Sequence, residues 1–351
     1  MLLHDAANEA HAQDLKKAIQ PRGVAVELLG LQQTDSRGEL EQALLSLFER
    51  FAVNPDSITV ALNISSGSRL ACVMAYEVFR LYGQAVFHVD AHSDLLTWLY
   101  PANLDPVNLQ DSIRLEAFLQ AYGVELIHPP LRQIQKRAWL SVAESILTQL
   151  DFFGDAISTF NYLASTAESS LTSVAYNPSD KALGALIDIF CAAGVVQVNQ
   201  DRLVFESEAE RFFCNGGWIE MHVFDVVRQC RKIDPQIQDV AYSVNVFRDE
   251  HGGKVRNEID VAFLFNNRLF VIECKTMTFK GSSGKRSGSH SLYKLDTVRQ
   301  VLGGIHAESM LVSLKPLSAS DKRRARDLQI SVCAGDQLLH LKDALLRMIR
   351  G

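Results

Sequence analysis

Apolar positions along the chain recur at two different spacings, and each change of spacing marks a new element. His11 to Ile19 is an amphipathic helix pattern, and Arg37 to Phe51 repeats Leu40, Leu44, Leu47, Phe48 and Phe51 at helical spacing. Val24 to Leu29, Ile58 to Ile64 and Ala85 to Val89 are short extended runs, the second suiting a parallel strand covered on both faces. Ser65-Ser66-Gly67-Ser68-Arg69 follows that second run and leads into a helix from Leu70 to Leu81. Ala91-His92-Ser93-Asp94 reads as a turn into Leu95 to Tyr100. This alternation predicts an α/β sheet over residues 1–128. Met1-Leu2-Leu3-His4-Asp5 looks like a strand end, so the expected sheet lacks the strand and helix that ordinarily come first.

From 129 to 206 the pattern turns helical, with helices expected over Trp139 to Phe153 and Ile157 to Ala167. Ser179-Asp180 is a capping signal for a helix running through Ala193 and ending at Gly194. Val195 to Val198 and Arg202 to Phe205, joined at Asn199-Gln200-Asp201, predict a short hairpin. Helices followed by a hairpin suggest a winged helix, although Lys181 is the only cation on its would-be recognition helix. Residues 207–351 form the third block. A helix from Gly217 to Arg231 precedes a strand from Asp239 to Phe247. Glu258 to Phe265 and Arg268 to Lys275 are joined by Asn266-Asn267 alone, a hairpin signal. A helix over about 291–303, strands at Met310 to Leu314 and Gln329 to Cys333, and a closing helix from Gln337 to Ile349 complete the expectation.

Composition narrows the classes. The chain has 351 residues and an ordinary share of apolar and charged residues for a soluble globular protein. No apolar run approaches the roughly 18 residues of a membrane helix, and the first residues do not read as a signal peptide, so a cytoplasmic protein is expected. The six cysteines are scattered, which suits reduced thiols better than a disulfide or zinc framework. A net charge of −6 means that a nucleic-acid partner would need local basic patches.

The chemistry concentrates in Asn257-Glu258-Ile259-Asp260 and Val271-Ile272-Glu273-Cys274-Lys275. Strand alternation points Glu273 and Lys275 the same way, and Asp260 on the paired strand can reach that face. Converging carboxylates make a hard oxygen site suited to Mg²⁺ or Mn²⁺, with the Cys274 peptide carbonyl as a further ligand. Such an ion would polarise a phosphate and acidify bound water, while Lys275 orients that water or neutralises charge. A bare E-x-K is common by chance. Here, however, the charges interrupt otherwise apolar strands, where a solvated face should alternate regularly. Glu220 on the preceding helix is a candidate further acid, and Glu258 a weaker one. Tyr293, Lys294 and Gln300 read most simply as surface residues. Lys280, Lys285 and Arg286, in a Gly/Ser-rich stretch after the site, are candidates for holding a substrate backbone. In the first block, Asn63, Ser65, Ser66, Gly67, Ser68 and Arg69 place backbone N–H groups, hydroxyls and a cation at a helix N-terminus. That geometry suits an anion, though such turns are also common without ligands.

With these motifs in place, the chain resembles the CRISPR ancillary nucleases. In that family a Rossmann-like CARF domain is joined through a winged-helix-like segment to a restriction-endonuclease-like PD-(D/E)xK domain. Gly216-Gly217-Trp218-Ile219-Glu220, Asn257-Glu258-Ile259-Asp260 and Val271-Ile272-Glu273-Cys274-Lys275-Thr276 are similar to its nuclease motifs. Asn63-Ile64-Ser65-Ser66-Gly67-Ser68-Arg69 is similar to its ligand-binding turn, usually Asn-x-Thr-Gly-Gly-Thr-Lys, and departs from it in detail. The resemblance implies an α/β protein with a sensor domain at 1–128, a linker segment at 129–206 and a nuclease domain at 207–351. It further implies a homodimer that binds cyclic oligoadenylate, typically cyclic tetra-adenylate, and then cleaves single-stranded RNA and DNA with a divalent metal in antiviral defence. Two other readings remain open at this stage: a ligand-responsive winged-helix transcription regulator, and an endonuclease without a nucleotide activator.

Overall fold

The structure, a computed structural model, describes residues 1–31, 36–54, 56–90, 93–109, 113–250, 253–276 and 288–350. They divide into two units, Met1–Glu125 and Leu126–Gly351.

In the first unit, β1 (Leu2–Asp5) leads through α1 (Glu9–Ile19) to β2 (Leu28–Leu31), which pairs parallel with β1 from Leu2 opposite Leu28 to Asp5 opposite Leu31. The extended run expected from Val24 therefore joins a ladder only at Leu28, because β1 offers just four residues to pair with. Helix α2 (Arg37–Arg50) starts at Ser36, whose hydroxyl accepts the Glu39 N–H at 3.4 Å. Its Leu40, Leu44 and Phe48 form a core with Ala75 and Phe79 of α3 (Arg69–Leu81). Strand β3 (Ala61–Asn63) runs parallel to β4 (Ala85–Asp90), followed antiparallel by β5 (Leu95–Tyr100) and β6 (Val107–Asn108). β3 is shorter than its apolar pattern predicts, because the buried Gln84 side chain takes the Thr59 and Val60 N–H groups at 2.9 and 3.2 Å. Helix α4 (Leu115–Ala121) follows, and β7 (Val124–Leu126) runs through the junction of the units.

The second unit begins with α5 (Leu140–Leu147), α6 (Leu150–Phe153), α7 (Ala156–Thr166) and α8 (Lys181–Ala192). Asp180 caps α8 by accepting the Leu183 N–H at 3.0 Å, and Gly194 at φ +65° ends it, as the sequence pattern predicts. The expected hairpin follows as β8 (Gln197–Asn199) and β9 (Arg202–Val204). Leu183, Leu186, Ile187 and Phe190 of α8 are buried in the same hydrophobic cluster as Phe213, Trp218, Phe224, Phe263 and Phe270. The middle helices thus share one core with the residues that follow them. A bidentate pair from Arg132 to Asp239, at 2.8 and 2.7 Å, and an ion pair from Lys136 to Glu210 at 2.9 Å add polar ties.

After α9 (Glu208–Phe212) and α10 (Trp218–Arg231) come β10 (Ile237–Glu250), β11 (Gly253–Phe265), β12 (Arg268–Lys275), α11 (Gly288–Gly303), β13 (Glu308–Ser313), α12 (Ala319–Asp327), β14 (Ser331–Ala334) and α13 (Leu341–Arg350). The strands lie in the order β14-β13-β12-β11-β10, antiparallel from β10 to β12 and parallel from β12 to β14. Asn266 and Asn267 both have positive φ, +51° and +52°, so the two-residue turn matches the twist of β11 and β12. Helix α10 packs on β10 to β12, α11 on β12 and β13, and α12 against α11 and β14.

Candidate active site

The ladder opens at Asp260. Val261 faces Ile272 in the β11–β12 register, so one step outward sets Asp260 across from Glu273. The acid fills that step itself: Asp260 Oδ2 accepts the Cys274 N–H at 2.6 Å. On the other flank, Tyr242 faces Val261 and Val244 faces Ile259, so Ser243 lies opposite Asp260, and its φ of +49° is rare for a non-glycine residue. Lys275 O accepts the Leu314 N–H at 2.9 Å, so Lys275 directs its backbone toward β13. Cys274, one residue earlier, therefore directs N–H and C=O toward β11 and Asp260. Its thiol lies in the hydrophobic core, where burial pushes it well above its ordinary pKa and keeps it protonated.

Glu273 is 4% exposed. Its Oε1 pairs with Lys275 Nζ and lies 3.6 Å from Lys294 Nζ of α11. Glu220 arrives from the first turn of α10, and two glycines make its approach possible. Gly216 has φ +103°, and a Cβ there would lie 2.8 Å from Thr276 Oγ1. A Cβ on Gly217 would lie 2.7 Å from the Phe212 ring. Thr276, next after Lys275, donates its hydroxyl at 2.8 Å to the side-chain oxygen of Asn161, whose amide nitrogen donates to Cys214 O and Ile157 O at 3.2 and 3.3 Å. Asn161, 1% exposed on α7, thus ties the turn before α10 to the end of β12.

Burial, more than any neighbouring charge, disfavours ionisation of the carboxyls in this site. Burial above all, with Asp260, Glu258 and Glu273 nearby, pushes Glu220 well above the carboxylate range. Its Oε2 is buried without a hydrogen-bond partner among the described residues. Burial and then Glu273 push Asp260 up to about 7, against Lys275 and the Cys274 N–H. Burial opposes the Lys275 charge, but Glu273 and Asp260 outweigh it and raise its pKa. Among the described residues no three His, Cys, Asp or Glu side chains form a ready metal cage. Two carboxylates and a peptide oxygen, with water completing the shell, would suit Mg²⁺ or Mn²⁺, and the unpartnered Glu220 Oε2 is compatible with that fit.

Asp260, Glu273, Lys275 and Glu220 therefore converge, as their motifs predict. Lys280, Lys285 and Arg286 lie outside the described residues. Lys294, read from sequence as a surface residue, stands beside Glu273; Gln300 instead donates to Asp296 at 2.9 Å on its own helix. Asn161 and Thr276 carry no sequence signal beyond the position of Thr276 after Lys275. In the first unit, Asn63 Oδ1 accepts the Ser65 N–H at 2.9 Å, and Ser65 Oγ accepts the Val89 N–H at 2.7 Å. Ser68 caps α3 through the Ala71 N–H at 3.1 Å, and Gly67 has φ +112°. Ser66 and Arg69 are exposed at this helix start. The turn forms as expected, with Ser65 and Ser68 already engaged in holding it.

Residues 206–350 match the family of Card1-like endonuclease domains. A structure of protein VC1899 from Vibrio cholerae superposes with a TM-score of 0.86 at 31% identity, over 99% of this chain and 90% of that one. The chain belongs to the CRISPR ancillary nuclease family. Further solved structures share the fold at lower identity. Can2 from Sulfobacillus thermosulfidooxidans, solved in complex with cyclic tetra-adenylate, has a TM-score of 0.78 at 24% identity over 100% of this chain and 92% of that one. A type III CRISPR defence DNA nuclease activated by cyclic oligoadenylate has a TM-score of 0.55 at 16% identity, over 91% of this chain and 42% of that one. No curated protein matches the sequence significantly. The three site acids of this CRISPR ancillary nuclease, Glu220, Asp260 and Glu273, and its Lys275 all fall within the matched endonuclease span. Among the described residues no helix is long and apolar enough to cross a membrane.

Proposed function

We propose that this CRISPR ancillary nuclease is a metal-dependent endonuclease that cleaves single-stranded RNA and DNA and is switched on by a cyclic oligoadenylate. One observation carries the catalytic part: Asp260 and Glu273 meet across β11 and β12 beside Lys275 and Glu220, whose Oε2 is buried without a partner among the described residues. Asp260, Glu273 and the Cys274 carbonyl would hold Mn²⁺ or Mg²⁺. When bound, the ion supplies Lewis-acid polarisation of a phosphate and a water of lowered pKa. Lys275, kept charged by the two acids, neutralises negative charge growing on the phosphate or orients the attacking water. Burial raises the Glu220 carboxyl well above the carboxylate range, which favours the protonated form, a hydrogen-bond donor.

The activator reading rests on the turn from Asn63 to Arg69, a strand-to-helix junction with donors at a helix N-terminus. The fold shared with Can2, which binds cyclic tetra-adenylate, supports the same ligand class here. A cyclic, symmetric ligand suits two copies of one turn, hence a homodimer with a two-fold interface. The bond from Asn161 to Thr276 gives movement of the middle helices a direct route to β12. To activate, the ligand must favour the active arrangement over the resting one. The test is cleavage of labelled single-stranded RNA and DNA with Mn²⁺, with and without cyclic oligoadenylates of several ring sizes, beside light scattering. Dimeric protein with ligand-stimulated cleavage supports the proposal. A monomer cleaving equally with and without ligand contradicts the switch and leaves a plain endonuclease.

A further inference from the structure

Helix α12 is basic in a chain whose net charge is negative. It carries Lys322, Arg323, Arg324 and Arg326, while its Asp321 is buried and accepts a hydrogen bond from the Ser318 hydroxyl at 2.7 Å. Asp321 and Ala325 face inward, so the cations fan around the remaining circumference. On one flank the Arg324 guanidinium sits 5.2 Å from the centre of the Tyr293 ring, and Tyr293 is 52% exposed. The next residue on α11, Lys294, stands beside the catalytic candidate Glu273. Arg323 is exposed on the outward face. On the other flank, Lys322 and Arg326 join Lys315 along a cleft of about 760 Å³. That cleft has an apolar floor including Ile157, Leu314 and Val332, with Asp151 and Asp336 also on its wall. It lies at the C-terminal ends of β13 and β14, the same sheet edge that carries Lys275 on β12.

We propose that α12, with Tyr293 on one flank and the Lys315 cleft on the other, is the track that holds the single strand flanking the scissile phosphate. This rests on the nuclease assignment above and adds where the strand runs. Exposed cations follow a phosphodiester backbone, and a ring backed by a guanidinium offers a stacking face to any base. That combination holds single strands with little sequence preference. The basic belt also answers the overall negative charge, which would otherwise repel a polyanion.

Binding of a labelled homopolymer oligonucleotide in EDTA tests this without any cleavage. Replacing Lys322, Arg323 and Arg326 together with Gln removes three exposed cations and leaves the core intact. Affinity should fall about a hundredfold near 0.1 M salt, and the slope of log affinity against log salt should become shallower by about 2. Tyr293→Ala should weaken binding by about tenfold. The matching triple replacement of Arg228, Arg231 and Lys232 with Gln, around the far end of α10, removes the same charge and should change affinity little. Melting curves check that every variant is folded. Undetectable wild-type binding at low salt, an α12 variant with unchanged affinity and slope, or equal loss in both triple variants would overturn the track. Wild-type protein that binds through α12 but never cleaves with metal would overturn the metal-site assignment and leave the track standing.

Discussion

The Asp260 carboxylate accepts the peptide N–H of Cys274 at 2.6 Å, so an acid stands where a strand partner would continue the ladder. That substitution holds Asp260 at the Glu273 position of the register and directs the Cys274 carbonyl to the same side. It also buries an acid beside another acid, which is why Asp260 is pushed up to about 7. Burial and the neighbouring Glu273 both disfavour the charged form of Asp260.

Asp260→Asn should therefore raise the stability of protein stripped of divalent ions with EDTA. The sign follows from the shift: a folded-state pKa above the ordinary value favours the protonated form. The stability it confers is complete at low pH and is lost as pH rises through about 7. The variant's advantage should vanish near pH 3.8, be partial at pH 5 and reach a few degrees in melting temperature at pH 8. The variant should also lose stabilisation by Mn²⁺. Equal melting temperatures of variant and wild type at both pH 5 and pH 8 would refute this cost of charging Asp260.

Gly216→Ala tests the approach of α10 to β12. A side chain at φ +103° with a Cβ 2.8 Å from Thr276 Oγ1 must displace the backbone or break the hydroxyl's bond to Asn161. A loss of about 1–3 kcal/mol is expected in denaturant unfolding, together with slower cleavage. Wild-type stability would show that the turn relaxes freely and does not fix Glu220.

Arg69→Ala tests the sensor turn. Removing a charge-assisted contact should weaken cyclic tetra-adenylate binding by about 1.5–3 kcal/mol in calorimetry, while Mn²⁺ binding is unchanged. Equal ligand affinity in variant and wild type would remove Arg69 from the ligand site.

Much of this was readable in the sequence where local chemistry decides the outcome. Asn266-Asn267 between two apolar runs specifies a turn with two positive φ angles, and Asp180 and Gly194 bracket α8. Strand alternation alone places Glu273 and Lys275 on one face. Less was readable where tertiary contacts decide. Helix α12 has almost no apolar periodicity, and its Ser318 cap and the buried Ala325 are what place it. Lys294 meets Glu273 only because α11 packs on β12. Asn161 reaches Thr276 across the fold through hydrogen bonds that leave no spacing in the chain. β2 begins late because its partner is short, a fact absent from its own apolar run.

The most direct test compares wild type with Glu273→Ala on labelled single-stranded substrate with cyclic tetra-adenylate present, in Mn²⁺ and in EDTA. Glu273 is an oxygen ligand in this account, and its removal relieves repulsion with Asp260, so the variant should remain folded. Cleavage by wild type in Mn²⁺, none in EDTA, and loss of most activity in a folded Glu273→Ala variant is the predicted result. Near wild-type cleavage by folded Glu273→Ala, or full wild-type cleavage in EDTA, would contradict the metal site.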